Sequence, residues 1–213
     1  MPMINTYFCQ MSDRAFSIPV MEFFHTIQGE GKWTGHAAFF IRLSGCDVGC
    51  VWCDVKESWE VSERHWMTVD ELVWEAATIP SKIVVITGGE PAMYDLGLLT
   101  EKLKAIGKQV HIETSGAYPL RGQFDWICVS PKKFKAPLDS ALQMANELKV
   151  VVFNRNDLKW ADEQAEKVHD SCLLLLQPEW DKREEHNRAI VEKVKSDPRW
   201  SISLQTHKYL DIP

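Results

Sequence analysis

Residues 82–91 read Lys-Ile-Val-Val-Ile-Thr-Gly-Gly-Glu-Pro. Four consecutive β-branched apolar residues predict a strand buried on both faces. The Gly-Gly-Glu-Pro string then stops it abruptly. The same grammar recurs on either side. Apolar runs predict further strands at Val20–Phe24, Ala37–Leu43, Gln109–Glu113, Trp126–Ser130, Leu148–Phe153, Cys172–Gln177 and Trp200–Gln205. Helices fill most of the gaps. Thr68 and Glu71 have the spacing of a capping box, which predicts a helix from there to about Ala77. Asp95 is placed to cap Leu96–Ile106, and Gly107 to end it. Further helices are predicted at Asp139–Glu147, Leu158–Val168 and Lys182–Lys195, whereas Thr114–Asp125 is too short and broken for one.

Strands alternating with helices imply an α/β fold, with a mostly parallel sheet and right-handed crossovers. About six βα units make an incomplete (βα)6-type barrel, with an open doubly wound sheet as the alternative. Either architecture gathers ligands at the C-terminal ends of the strands. The polar and Gly-rich strings fall on that rim: Ser44-Gly45-Cys46, Thr87–Pro91, Glu113–Gly116, Ser130-Pro131-Lys132, Gln177-Pro178 and Gln205–Lys208. The organisation predicted is one domain over 1–213, with 1–19 an irregular N-terminal extension.

Composition narrows the function classes. The 213 residues are 45% apolar and 25% charged, with a net charge of −6. That suits a globular protein with a substantial core, and no basic face suggests nucleic-acid binding. No apolar run approaches the length of a membrane span. Met1–Arg14 lacks the pattern of a signal peptide, so the expected location is the cytoplasm.

Three of the six cysteines crowd into Cys46-Asp47-Val48-Gly49-Cys50-Val51-Trp52-Cys53. Cys128 and Cys172 sit in strand-like runs as small core residues, and Cys9 carries no reading. Thiolates suit iron–sulfur clusters and zinc. Three ligands leave one iron of a four-iron cluster open, a mark of chemistry rather than structure. The alternative is zinc, completed by His36 or His65.

The CxxxCxxC spacing, the aromatic Trp52 before the third cysteine and the downstream Gly88-Gly89-Glu90-Pro91 resemble the radical S-adenosylmethionine (SAM) superfamily. The strings Thr26–Gly31, Phe40–Cys46, Glu113–Gly116, Ser130–Lys132 and Ser203–Leu210 sharpen this to a resemblance to the 7-carboxy-7-deazaguanine synthase family, over Val20–Pro213. The resemblance implies a shortened radical SAM barrel and a [4Fe-4S] cluster on Cys46, Cys50 and Cys53. SAM would bind at the open iron and be cleaved to a 5′-deoxyadenosyl radical, then regenerated. The implied substrate is 6-carboxy-5,6,7,8-tetrahydropterin, converted to 7-carboxy-7-deazaguanine and ammonia for queuosine and other 7-deazapurines. A homodimer and a flavodoxin-like electron donor are also implied. Another radical SAM activity, such as glycyl-radical formation, and a non-catalytic metal module are the competing readings.

On this resemblance SAM contacts Trp52, Cys53, Asp54, Gly89, Ser115, Ser130, Pro131, Lys132, Gln177, Pro178 and Glu179. The pterin contacts Ile27, Gln28, Gly29, Glu30, Arg42, Thr87, His207 and Pro213. A pterin's amino group and ring N–H want carboxylate acceptors, for which Glu30 and the terminal carboxylate of Pro213 are candidates. Its carboxylate wants a fork such as Arg42; the alternative for Arg42 is an ion pair with Asp47 or Glu30. One departure stands out. The family places a magnesium-coordinating Thr after the Cys-Asp pair, and here the residue is Val55. Magnesium is then expected to rely on other oxygens, such as Asp54, a backbone carbonyl, water or the substrate, or to be absent.

Overall fold

A computed structural model describes residues 16–213, so Cys9 and the reading of Met1–Arg14 lie outside the described residues. One nine-stranded sheet organises them. Its strands are β1 (Ser17–Ile27), β2 (Ala37–Leu43), β3 (Trp66–Thr68), β4 (Ile83–Thr87), β5 (Gln109–Thr114), β6 (Trp126–Val129), β7 (Glu147–Val152), β8 (Leu173–Pro178) and β9 (Trp200–Ile202). The order is β3-β1-β2-β4-β5-β6-β7-β8-β9. From β2 to β9 every neighbouring pair is parallel, while β1 runs antiparallel to β2 and to β3.

That sequential order settles the architecture. Right-handed crossovers that always step in one direction put every crossover helix on the same face. The helices are α1 (Val69–Thr78), α2 (Gly97–Ala105), α3 (Asp139–Met144), α4 (Asn156–Ala165), α5 (Arg183–Ser196) and α6 (Thr206–Leu210). Leu72 of α1, Leu99 and Leu103 of α2, Leu142 of α3, Ala161 of α4 and Ile190 of α5 share one core with Val84, Ile86, Ile112, Val150 and Leu176 of the sheet. The alternate residues of β4, Ile83 and Val85, join Ala38, Phe40 and Trp33 in a smaller cluster on the other face. Period-two alternation thus separates an outer, helix-covered face from an inner one. The sheet is a curved, open, incomplete barrel, and the doubly wound alternative is excluded.

Trp33 plugs the strands' N-terminal end. It packs on His111 and Trp126, with ring centroids 5.1 and 5.7 Å away. Its turn is held inside by Lys32 N–H donating to Glu147 (2.9 Å) and Gly31 N–H donating to Ser203 Oγ (3.0 Å). The cleft therefore opens only towards the C-terminal ends.

Several predicted boundaries move. Strand β1 starts at Ser17, because Ser17–Pro19 pair with β3, a strand the sequence reading missed. The predicted helix Asp139–Glu147 stops at Met144. Asn146 is drawn into the sheet, accepting from Ile127 N–H through Oδ1 and donating its own N–H to Ile127 O, and Glu147 opens β7. The helix predicted from Leu158 begins two residues earlier and ends at Ala165. The strand predicted over Trp200–Gln205 ends at Ile202, and Thr206–Leu210 forms the short helix α6. Thr68 and Glu71 do form a capping box, and Asp95 Oδ1 accepts from Gly97 N–H at 2.9 Å.

Candidate active site

The three motif cysteines lie on the loop that leaves β2. Backbone hydrogen bonds fasten it: Gly45 N–H donates to Ser58 O (2.7 Å) and Cys46 N–H to Trp59 O (3.2 Å). Tyr94 Oη donates to Ser44 O at 2.8 Å, and Ser44 Oγ meets His65 Nδ1 at 2.6 Å. Asp47 accepts from Tyr118 Oη and from Lys135 Nζ, and Lys135 sits over the Tyr118 ring. Burial pushes the Cys50 thiol up to about 11, with Lys132 opposing and the neighbouring Cys53 and Cys46 adding to the rise. Burial also raises Cys46. The raised Cys46 and Cys50 thiols need a cationic centre to become ligands. Among the described residues, no three His, Cys, Asp or Glu side chains converge on a single metal ion. Cluster ligands each hold a different iron and stand further apart than the ligands of one ion, so the cysteine spacing fits a cluster better than zinc. His65 is engaged by Ser44, and His36 by Trp33 O.

Gly88-Gly89-Glu90-Pro91 crosses directly over this loop. Glu90 N–H donates to Gly45 O at 2.8 Å. A Cβ on Gly89 would stand 2.3 Å from that same oxygen, so only glycine permits the approach. The Glu90 side chain is buried and accepts from Ala92 N–H, Ser115 N–H and the hydroxyls of Thr114 and Ser115. It thereby locks the end of β4 to the end of β5. Lys132 donates to Ser130 O and Oγ at 2.7 and 2.6 Å, with its ammonium 5.2 Å from the Trp52 ring centroid. Burial lowers its pKa, against the pull of Cys50.

Across the cleft lies a polar wall. Glu30 Oε1 accepts from Gln205 Nε2 at 2.9 Å, and Glu113 Oε1 accepts from Gln28 Nε2 at 2.8 Å. Lys149 donates to both carboxylates. Desolvation works to raise the Glu30 pKa, but the Lys149 charge and hydrogen bond outweigh it and hold the carboxyl at about 2. His207 faces Gly29 so closely that a Cβ there would meet its Nδ1 at 2.2 Å. Burial pulls the His207 pKa below its ordinary value. On the β2 and β4 side, Arg42 is in register with Thr87. Its Nε donates to Glu22 at 2.7 Å, rather than to the anticipated Asp47 or Glu30.

These walls enclose one cleft of about 500 Å³. Of the residues singled out in the sequence, Cys46, Cys50, Cys53, Trp52, Asp54, Gly89, Ser115, Ser130, Lys132, Gln177, Glu179, Ile27, Gln28, Gly29, Glu30, Arg42, Thr87, His207 and Pro213 all line it. Pro131 and Pro178 do not: both are buried beside it and shape the strand ends. Glu113, Lys149 and Gln205 line the cleft without having been singled out. Glu113 was within reach of sequence reading, since it ends a strand on the functional rim. Lys149 was not, because its partners are remote in sequence. At the position of the family's magnesium ligand, Val55 O accepts from Ser58 N–H and Oγ, and Asp54 pairs with Lys208 at 2.9 Å.

Comparison with known proteins agrees with this layout. The profile of the radical SAM superfamily matches residues 40–135. The 7-carboxy-7-deazaguanine synthase of Flavobacterium psychrophilum is 55% identical over 92% of this chain and 93% of its own length. That of Escherichia coli K12 is 37% identical, over 91% of this chain and 98% of its own. The crystal structure of QueE from Escherichia coli superposes with a TM-score of 0.82 at 33% identity, covering 92% of this chain and 97% of that one. With its cysteine loop, its Gly-Gly-Glu-Pro crossing and similarity running the length of the described fold, the chain belongs to the 7-carboxy-7-deazaguanine synthase family of radical SAM enzymes.

Proposed function

We propose that this protein converts 6-carboxy-5,6,7,8-tetrahydropterin to 7-carboxy-7-deazaguanine and ammonia, in the route to queuosine and related 7-deazapurines. The observation that carries the reading is one cleft with two chemically different walls. One wall offers three thiols and an open crossing of glycines; the other offers two lysine-clamped carboxylates opposite an arginine.

A [4Fe-4S] cluster and SAM, bound there, would supply one-electron reduction and radical hydrogen-atom abstraction. The protein's own groups do the rest. Cys46, Cys50 and Cys53 hold the cluster, while Gly89, Ser115, Ser130, Lys132, Gln177 and Glu179 receive SAM. Glu30 and Glu113 accept from the amino and ring N–H groups of the pterin. Arg42 receives its carboxylate through the terminal nitrogens, with Thr87 beside it. His207, neutral at pH 7 because burial disfavours its charge, gives a hydrogen bond without adding a second cation. Ile27, Gly29 and Pro213 line the cleft beside these groups. The side chains at 54 and 55 do not fit a magnesium ion: one has no oxygen, and the other is neutralised by Lys208. Arg42 takes the place of a metal in binding the substrate carboxylate. A homodimer and a flavodoxin-like electron donor, both family expectations, complete the reading.

The test is an anaerobic assay of reconstituted protein with SAM, reductant and the pterin, run with and without magnesium and read by mass spectrometry. Expected is 7-carboxy-7-deazaguanine in both, abolished by Cys50→Ala. Cleavage of SAM to 5′-deoxyadenosine without that product would keep the radical chemistry and reject the pterin.

A further inference from the structure

Lys149 stands in the middle of β7 with 3% of its side chain exposed, facing the inside of the barrel. Its ammonium donates to Glu30 Oε2 and, at 2.9 Å, to Glu113 Oε2. The other oxygen of each carboxylate is engaged by an amide, Gln205 Nε2 on Glu30 and Gln28 Nε2 on Glu113. Every one of these four oxygens has two lone pairs, so each retains one acceptor position. Both carboxylates line the cleft. The result is a pair of clamped acceptors whose orientation is set from behind by one lysine.

We propose that Lys149 is the positioning residue for pterin recognition: it holds the Glu30 and Glu113 carboxylates side by side and fixed in the cleft, so that they accept from adjacent N–H groups of the ligand. This deepens the functional reading above and rests on it.

The physical reason is charge balance. A lysine this buried would ordinarily shed its proton. Here desolvation lowers its pKa, but Cys128, Glu113, Glu30 and Glu147 around it carry it well above the usual lysine value. Without that ammonium, desolvation and the neighbouring carboxylate act on Glu30 unopposed by a cation, and as pH falls Glu30 binds a proton. A protonated carboxyl turns a donor towards the donors of the ligand, and recognition fails. No neighbour replaces the charge. The Lys132 ammonium is directed at Ser130 and makes no hydrogen bond or ion pair with either carboxylate, and burial keeps His207 and His111 below the ordinary histidine pKa.

The experiment is calorimetric titration of the anaerobic, SAM-loaded holoenzyme with 6-carboxypterin, between about pH 5.5 and 7.5. Wild-type affinity should be flat across this range. Lys149→Met should raise Kd by roughly tenfold or more, the worth of a hydrogen bond to a charged group, and weaken further as pH falls. Lys149→Arg should restore the flat profile. The cluster's absorbance reports that each variant is folded. If Lys149→Met does not fold, the double variant Lys149→Met/Glu30→Gln removes the carboxylate that burial would protonate; it should fold and bind weakly with no pH dependence. Wild-type affinity in Lys149→Met, or a raised Kd that ignores pH, would reduce Lys149 to packing and overturn the proposal. Absence of pterin binding by the wild type would instead sink the functional reading, and this inference with it.

Discussion

His111 is 2% exposed, wedged between Trp33 and Trp126 at the plugged end of the barrel. Its Nε2 and the Nε1 of Trp33 have no protein partner among the described residues. Burial pulls its pKa from 6.5 down to about 4, although Asp125 and Glu113 oppose the shift. The sign of the consequence follows by linkage. The unfolded chain protonates near 6.5 and the folded protein only near 4, so the unfolded state binds more protons in between. The stabilisation is fully present above pH 6.5 and drains away as pH falls towards 4, by about 3 kcal/mol at the conversion of 1.36 kcal/mol per pKa unit. Glu30, held at about 2 against a usual 4.5, adds a second loss of the same sign at lower pH. Urea midpoints of wild type and His111→Phe at several pH values separate the two windows. The variant should have a flatter profile between pH 6.5 and 4 while keeping the acid limb below it. Parallel profiles across the upper window would mean that His111 does not carry this effect.

Among the elements, those governed by local chemistry were legible in the sequence and those governed by remote partners were not. The capping box of α1 needs only Thr68 and Glu71, three residues apart, and it formed as read. Strand β7 begins at Glu147 for reasons that lie in β6 and β8, whose residues Cys128 and Leu173 pair with it. No local pattern contains that. Lys149 is the extreme case: its carboxylate partners are 119 and 36 residues away, and within Glu-Leu-Lys-Val-Val-Val it looks like an ordinary solvent-facing charge. Helix α6 was given no element in the sequence reading, and the strand before it was carried three residues too far, because its anchors are likewise distant, Thr206 N–H donating to Gly29 O at 2.8 Å. That helix is docked by Lys208, which pairs with Asp54 and lies over Trp180, while Tyr209 meets the Trp180 ring edge-on. A partly exposed ion pair of this kind is worth about 0–1 kcal/mol, yet it sets where His207 sits. Lys208→Met should therefore leave the melting temperature nearly unchanged but raise KM for the pterin several-fold. A drop in melting temperature with KM intact would show that α6 is a structural brace instead.

The whole molecule is a barrel that strand pairing does not close. The sheet ends at β3 on one side and β9 on the other, and an open curved sheet would leave its polar interior to water. A seam of loop contacts bridges the gap. Gly29 O accepts from Thr206, Glu30 from Gln205, and Gly31 N–H donates to Ser203 Oγ. The residues just after β1 and just after β9 thus complete the polar wall of the cleft, and the proposed pterin site coincides with the closure. Such a seam has few buried apolar contacts, so it should open at lower free energy than the helix-covered core. Gly29→Ala tests this, because its Cβ would stand 2.2 Å from His207 Nδ1 and force the two sides apart. Overpacking of this kind costs about 1–3 kcal/mol, and here the strain can be released by opening the seam alone. Hydrogen exchange should accelerate at the amides of Thr206–Leu210 in the variant, while those of β4, β5 and β8 keep wild-type protection. Equal acceleration throughout the sheet would mean that the seam and the core unfold as one unit.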